Sequence, residues 1–135
     1  MIPKTPETVQ DIMSRDCYRV LPETSITTLA QGLALHRLPG VPVVDTHDRL
    51  IGFISEQDVL SKVLGSVYHD DEAPLVKELM RHEVVSVGPN KSITDLAQEM
   101  NGLRPKVYPV VTQGRLLGIV TRRDVLNALL LIRRH

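Results

Sequence analysis

The stretch Arg49-Leu50-Ile51-Gly52-Phe53-Ile54-Ser55-Glu56-Gln57-Asp58-Val59-Leu60 is answered near the end of the chain by Arg115-Leu116-Leu117-Gly118-Ile119-Val120-Thr121-Arg122-Arg123-Asp124-Val125-Leu126. In each copy a short apolar run rich in branched residues reads as a strand. Val59, Leu60, Val63 and Leu64, matched by Val125, Leu126, Leu129 and Leu130, then restore a helical spacing. The junctions fall on Ser55-Glu56-Gln57-Asp58 and Thr121-Arg122-Arg123-Asp124. A hydroxyl followed three residues later by a carboxylate, ahead of an apolar run, is the pattern of a capped helix start. A junction that occurs twice makes internal duplication the first question to ask of the rest of the chain.

Working outward, the duplication takes in nearly everything. Val9-Gln10-Asp11-Ile12-Met13 returns 67 residues later as Val76-Lys77-Glu78-Leu79-Met80, and the same offset carries Pro22 to Pro89 and Ser25-Ile26-Thr27 to Ser92-Ile93-Thr94. Leu29-Ala30-Gln31 returns as Leu96-Ala97-Gln98, and Pro42-Val43-Val44 as Pro109-Val110-Val111, before a one-residue deletion in the following turn. Repeat 1 spans residues 9–64 and repeat 2 residues 76–130, and the polar, acidic stretch 65–75 reads as a linker.

Ile26, Leu29, Ala30 and Leu33 fall at i, i+3, i+4 and i+7, as do Ile93, Leu96, Ala97 and Met100, so each segment predicts an amphipathic helix, capped by Ser25 or Ser92. Residues 41–44 and 108–111 are short, continuous and apolar, as buried strands are, and turns at 45–48 and 112–114 join them to second strands at 50–54 and 116–120. With entry strands near 18–21 and 84–87, each repeat reads β-α-β-β-α, an α/β (α+β) arrangement. A unit of roughly 55 residues is marginal alone. The expectation is therefore two repeats packed about a pseudo-two-fold axis, with symmetric clefts as natural ligand sites.

Composition narrows the function. The chain has 135 residues, 42% hydrophobic and 24% charged, and its 16 Lys+Arg cancel 16 Asp+Glu, so nothing marks a strong appetite for nucleic acid or anionic membrane. Three Tyr, one Phe and no Trp make a poor platform for stacking bases. The single cysteine, Cys17, forms no internal disulfide and fits a reducing cytoplasm. No apolar run approaches the roughly 18 residues of a membrane span, and the N-terminus has no signal-peptide core.

The Val-x-[Asp/Glu]-[Ile/Leu]-Met entry, the Pro-x-x-Ser-Ile helix start, the Pro-Val-Val strand and the Leu-[Ile/Leu]-Gly-[Phe/Ile]-[Ile/Val]-[Ser/Thr]-x-x-Asp-Val-Leu ending, each present twice in order, resemble a tandem pair of cystathionine-β-synthase (CBS) domains, a Bateman module. The resemblance covers about residues 9–130. It implies a sensor that binds AMP, ADP, ATP or S-adenosylmethionine in its clefts, commonly dimerises into a flat disc, and is not itself catalytic. It assigns ribose to Asp58 and Asp124, phosphate or ribose contacts to Ser55, Gln57, Thr121 and Arg123, and a place near the adenine to Val41, Pro42, Tyr108 and Pro109.

The residues themselves support part of this. A carboxylate can accept two hydrogen bonds from ribose hydroxyls, and unpaired N–H groups at a helix start favour an anion. Arg122 and Arg123 bring guanidinium forks to the second junction, whereas Glu56 opposes a phosphate at the first. Phosphorylated nucleotides are thus expected to prefer Asp124, unless Lys106 crosses over to serve Asp58. The same four-residue pattern is equally read as a helix cap needing no ligand. Likewise Val41, Pro42, Tyr108 and Pro109 read equally as core.

No His, Cys or acidic cluster has metal-ligand spacing, and no nucleophile–base pair or Gly-rich phosphate loop appears. The expected function is a regulatory ligand-sensing module that needs no cofactor beyond its adenosine nucleotide and signals in trans to an effector protein. The apolar excess on the outer helices, Leu60, Leu126, Leu130 and Ile132 among it, points to a homodimer. The alternative is a structural homodimerisation module with vestigial pockets.

Overall fold

A computed structural model describes residues 5–66, 74–102 and 105–133, the side chains of 63–66 excepted. Most of the linker read at 65–75 lies outside the described residues, as do the Val63 and Leu64 side chains. The elements run α1 (Ile26–His36), β1 (Gly40–Val44), β2 (Leu50–Ser55), α2 (Glu56–Ser66), α3 (Val76–Leu79), α4 (Ile93–Glu99), β3 (Val107–Thr112), β4 (Arg115–Thr121) and α5 (Arg122–Arg133), after a 3-10 turn at Val9–Asp11. They form two compact units, one of residues 18–84 and one of residues 1–17 with 85–135.

In the first unit β1 and β2 pair antiparallel, with Val41 opposite Ile54 and Pro42 opposite Phe53. Both edges of this hairpin are covered. Beside β1, the Val20 N–H donates to the Pro42 carbonyl at 3.2 Å and the Val44 N–H to the Val20 carbonyl at 2.9 Å. Beside β2, Phe53 and Arg81 exchange backbone hydrogen bonds of 2.9 and 2.8 Å. Helix α1 starts at Ser25, whose hydroxyl accepts the Thr28 N–H at 3.1 Å, and ends at Arg37 in the left-handed region with φ 55°. Its apolar stripe, Ile26, Leu29 and Leu33, packs with Val20, Val41, Val43, Ile54 and Val76 into one core.

The second unit repeats the plan. Tyr108 faces Val120 across the β3–β4 pair, and Thr112 faces Arg115 across a two-residue turn. Gln113 and Gly114 hold φ at 49° and 81°, both positive as a type I′ turn demands. The Val87 N–H donates to the Pro109 carbonyl at 3.0 Å on one edge, and Ser14 and Ile119 exchange bonds of 2.8 and 3.0 Å on the other. Ser92 caps α4 through the Asp95 N–H at 3.1 Å, and Val9, Ile93, Leu96, Tyr108, Val110, Val120 and Val125 are buried in the core.

The entry strands read at 18–21 and 84–87 are reduced to single parallel bridges at Val20 and Val87. Pro22 and Pro89, two residues on, have no N–H to extend the ladder. The units also cut across the sequence repeats. The segment carrying Val9 and Ser14 lines the hairpin of β3 and β4, and the segment carrying Val76 and Arg81 lines that of β1 and β2. This close passage explains the glycine in each strand ending: a Cβ on Gly118 would sit 2.3 Å from the Ser14 carbonyl oxygen, and one on Gly52 2.9 Å from that of Arg81.

Candidate functional site

Each unit carries the same strand-to-helix junction, and each junction is a closed reciprocal cap. At the first, the Ser55 N–H donates to Asp58 Oδ2 at 3.0 Å, the Ser55 hydroxyl donates to the same oxygen at 2.9 Å, and the Asp58 N–H donates back to Ser55 Oγ at 3.2 Å. At the second, the Thr121 N–H donates to Asp124 Oδ2 at 2.8 Å and the Asp124 N–H to Thr121 Oγ1 at 3.1 Å. The first helical amides are met from the loop before each hairpin: Glu56 N–H donates to the Pro39 carbonyl at 2.8 Å and Arg122 N–H to the Lys106 carbonyl at 2.9 Å. These contacts satisfy donors that any helix start would otherwise leave without a partner.

A cap needs one acceptor oxygen, and a carboxylate has two. Asp58 Oδ1 accepts from Arg81 Nε at 3.0 Å, with the Asp58 side chain 13% exposed and the Arg81 side chain 66% exposed. Asp124 Oδ1 accepts no hydrogen bond among the described residues. The backbone place held by Arg81 in the first unit is held by Ser14 in the second, since both exchange two hydrogen bonds with the strand residue two before the junction. A serine is too short to deliver a cation. Arg81 is therefore the residue that motif reading missed, and its only sequence signal was the serine-to-arginine mismatch following Met13 and Met80 in the two repeats.

The structure brings Thr121, Arg122, Arg123 and Asp124 together around the start of α5, with both arginines exposed and the Lys106 backbone, just before β3, bonded to Arg122. Ser55, Gln57 and Asp58 gather in the same way at the start of α2. Val41, Pro42, Tyr108 and Pro109 lie on the neighbouring strands and are all buried, Val41 to 0% and Tyr108 to 1% exposure. Val41 and Tyr108 are members of the two cores. Among the described residues no group of three or more His, Cys, Asp or Glu is placed to hold a metal ion, and no helix is long and apolar enough to cross a membrane.

Comparison with known proteins follows the same division. The CBS domain model matches residues 9–65 and again 76–131. Hypoxic response protein 1 of Mycobacterium tuberculosis is 30% identical over 118 residues, 87% of this chain and 82% of that protein. The chain spans only 43% of the length of an uncharacterized Methanocaldococcus jannaschii protein that it matches at 29% identity over 125 residues. Among solved structures, CBSX2 of Arabidopsis thaliana in complex with AMP is similar with a TM-score of 0.82 and 29% identity, covering 96% of this chain and 100% of that one. The CBS domain pair of protein MJ0100, in complex with 5-methylthioadenosine and S-adenosyl-L-methionine, is similar with a TM-score of 0.75 and 27% identity, covering 90% and 94%. With two matched segments, two copies of one hairpin plan and two junctions capped in the same manner, the chain belongs to the CBS domain family, whose domain it carries twice.

Proposed function

We propose that the chain is a regulatory, non-catalytic module that binds an adenosine-containing ligand at the start of α5 and, more weakly, at the start of α2. The observation that carries this reading is the surplus carboxylate oxygen of Asp124, unengaged among the described residues beside two exposed arginines. A ribose diol donates to that oxygen. A phosphate is met by the α5 dipole and by guanidinium, for which planar forks are the better match. AMP in the CBSX2 complex and S-adenosyl-L-methionine in the MJ0100 complex support the ligand class. Among AMP, ADP, ATP and S-adenosylmethionine, the cations at Arg122 and Arg123 favour the phosphorylated members at this junction. The occupied state reports to an effector protein by shifting the balance between conformations or assemblies. A single cysteine suits a cytoplasmic setting.

Homodimerisation is part of the reading. Leu126, Leu130 and Leu131 on α5 are 56%, 53% and 48% exposed, and Leu60 on α2 is 60% exposed. An open groove of about 430 Å³ lies along α5 against the end of α4, lined by Met100, Val125, Leu126 and Leu129 among others. Apolar surface of this kind is covered at low cost by a second copy. Light scattering is expected to give a dimer at micromolar concentration and a monomer for Leu126→Glu with Leu130→Glu. A wild-type monomer with or without nucleotide refutes it.

The ligand reading is tested by thermal shift with AMP, ADP, ATP, S-adenosylmethionine and NAD. A ligand at 100 times its Kd stabilises by about 2.7 kcal/mol, roughly 9 °C for a chain of this length. Asp124→Asn keeps one acceptor for the cap and removes the anionic second one, so the variant is expected to retain the unliganded midpoint and lose most of the shift. Asp124→Ala also removes the cap and lowers the unliganded midpoint by about 1 kcal/mol of stability. A full shift in both variants refutes the ribose role; no shift with any ligand on the wild type favours the structural dimerisation module instead.

A further inference from the structure

The two junctions share the reciprocal backbone bonds of the cap, and the first adds the Ser55 hydroxyl bond to Asp58 Oδ2 and one ion pair. We infer that Arg81 is the specificity-determining residue of the Ser55–Asp58 site: its guanidinium holds the carboxylate oxygen that a ribose diol would take, so this site is locked while the Asp124 site stands open. The inference rests on the ribose role proposed above. Asp58 Oδ2 is occupied by the Ser55 N–H and hydroxyl, and Oδ1 by Arg81 Nε, so no oxygen of this carboxylate is left without a donor. A ligand at Asp58 must first displace the guanidinium; a ligand at Asp124 displaces nothing that the described residues provide.

The lock is held by backbone on one side and by side chain on the other. Arg81 exchanges two hydrogen bonds with Phe53 through its main chain, which fix where its side chain starts regardless of what that side chain is. Replacing the side chain therefore leaves the strand edge intact. Ser14, at the matching backbone place, shows the unlocked form of the same architecture. The pair is only partly enclosed, since Arg81 is 66% exposed, so water screens it and the lock is a bias rather than a block. Consequently the two sites fill in order, Asp124 first. Nucleosides without phosphate are the most penalised at Asp58, because they offer the displaced guanidinium no anion in return.

Exchanging the two residues tests this. Adenosine, which has no phosphate to engage Arg81 directly, is titrated calorimetrically into the full chain carrying Asp124→Ala, so that the Asp58 site alone is read. Adding Arg81→Ser is expected to tighten adenosine by about 1.5- to 5-fold, the range of an exposed ion pair. In the reciprocal construction, Ser14→Arg on the wild-type chain is expected to weaken the Asp124 site by a similar factor. Unchanged or weaker adenosine binding in Arg81→Ser overturns the lock, and weaker binding identifies Arg81 as a ligand contact instead. Failure of the ribose reading is distinguishable: Asp58→Ala and Asp124→Ala together then leave adenosine binding intact, and the lock falls with it.

Discussion

Gly118 offers the sharpest test of how the second unit is built. Its backbone needs no left-handed conformation, so an alanine there is opposed only by its new Cβ. That atom would lie 2.3 Å from the Ser14 carbonyl oxygen, 3.0 Å from the Ser14 carbonyl carbon and 3.2 Å from Arg15 Cα. All three neighbours are backbone, so no side chain can swing aside. Restoring ordinary contact requires the segment at Ser14 to retreat by about 1 Å, which carries the 2.8 and 3.0 Å bonds with Ile119 beyond hydrogen-bonding range. Two such bonds are worth about 0.5–1.5 kcal/mol each and the overpacking about 1–3 kcal/mol, against a gain of about 0.4–1 kcal/mol from the stiffer unfolded chain. The net loss is about 3 kcal/mol, or roughly 10 °C in Tm. Gly52→Ala meets the Met80 sulfur at 2.8 Å, which can yield, and the Arg81 carbonyl oxygen at 2.9 Å, so its loss should be about half as large. Gly88, with no heavy atom within 4 Å, is the control and should leave Tm unchanged or slightly raised. Circular dichroism melts of the three variants check the order. A Gly118→Ala protein melting within about 2 °C of the parent would refute the close passage of Ser14 across β4.

The caps and the first hairpin turn carry two further expectations. Ser25→Ala and Ser92→Ala each remove the one side-chain acceptor at a helix start and should cost about 1 kcal/mol apiece, additively, since they sit in different units; urea titration measures both. The Asp45 carboxyl is held below its ordinary value of 3.8, first by the Arg49 N–H at 3.0 Å and then by the His47 N–H at 2.8 Å, with smaller help from the charge of Arg49. A folded-state pKa below the unfolded one contributes stability that is present above the unfolded value and lost as pH falls through the folded value. The Tm difference between the parent and Asp45→Asn should therefore be constant near neutrality and vanish in acid, and a difference independent of pH would sink the assignment.

Much of this architecture was legible in the sequence because it is local. Ser25, Ser92 and the apolar spacings behind them need only a few neighbouring residues to specify a helix start, and Gln113-Gly114 needs only itself to specify its turn. The cap at each junction was equally visible, being a four-residue pattern. What the pattern concealed is non-local. Val9-Gln10-Asp11-Ile12-Met13 and Val76-Lys77-Glu78-Leu79-Met80 are near copies, so either would line either hairpin equally well on hydrophobicity. Correspondence between repeats says which segments match and nothing about which strand edge each covers. Arg81 was hidden for the same reason: it lies 23 residues from Asp58 and reaches it only because its segment runs along β2. Tyr108 was read as open to a ligand or to the core; its 1% exposure places its ring among Val9, Val110 and Val125.

The carboxylate at each junction suits a helix start, and on the proposed reading it has a second task as well. The N–H that the carboxylate receives at Ser55 or Thr121 would be met as well by the single carbonyl oxygen of an amide, with no charge to desolvate. An aspartate brings a second oxygen and a negative charge, and both junctions have one. In the first unit that charge is answered by a guanidinium from outside the motif; in the second, two exposed arginines precede it at the same helix start. Beyond the motif itself, the surroundings of the two carboxylates differ in Arg81 against Ser14, at a place where the backbone contacts are the same. If the carboxylates take ribose as proposed, one side chain beyond the motif makes the affinities of the two junctions unequal. On the function proposed above, such sites fill at different ligand concentrations, and the two-fold repeat is then a detector with two thresholds.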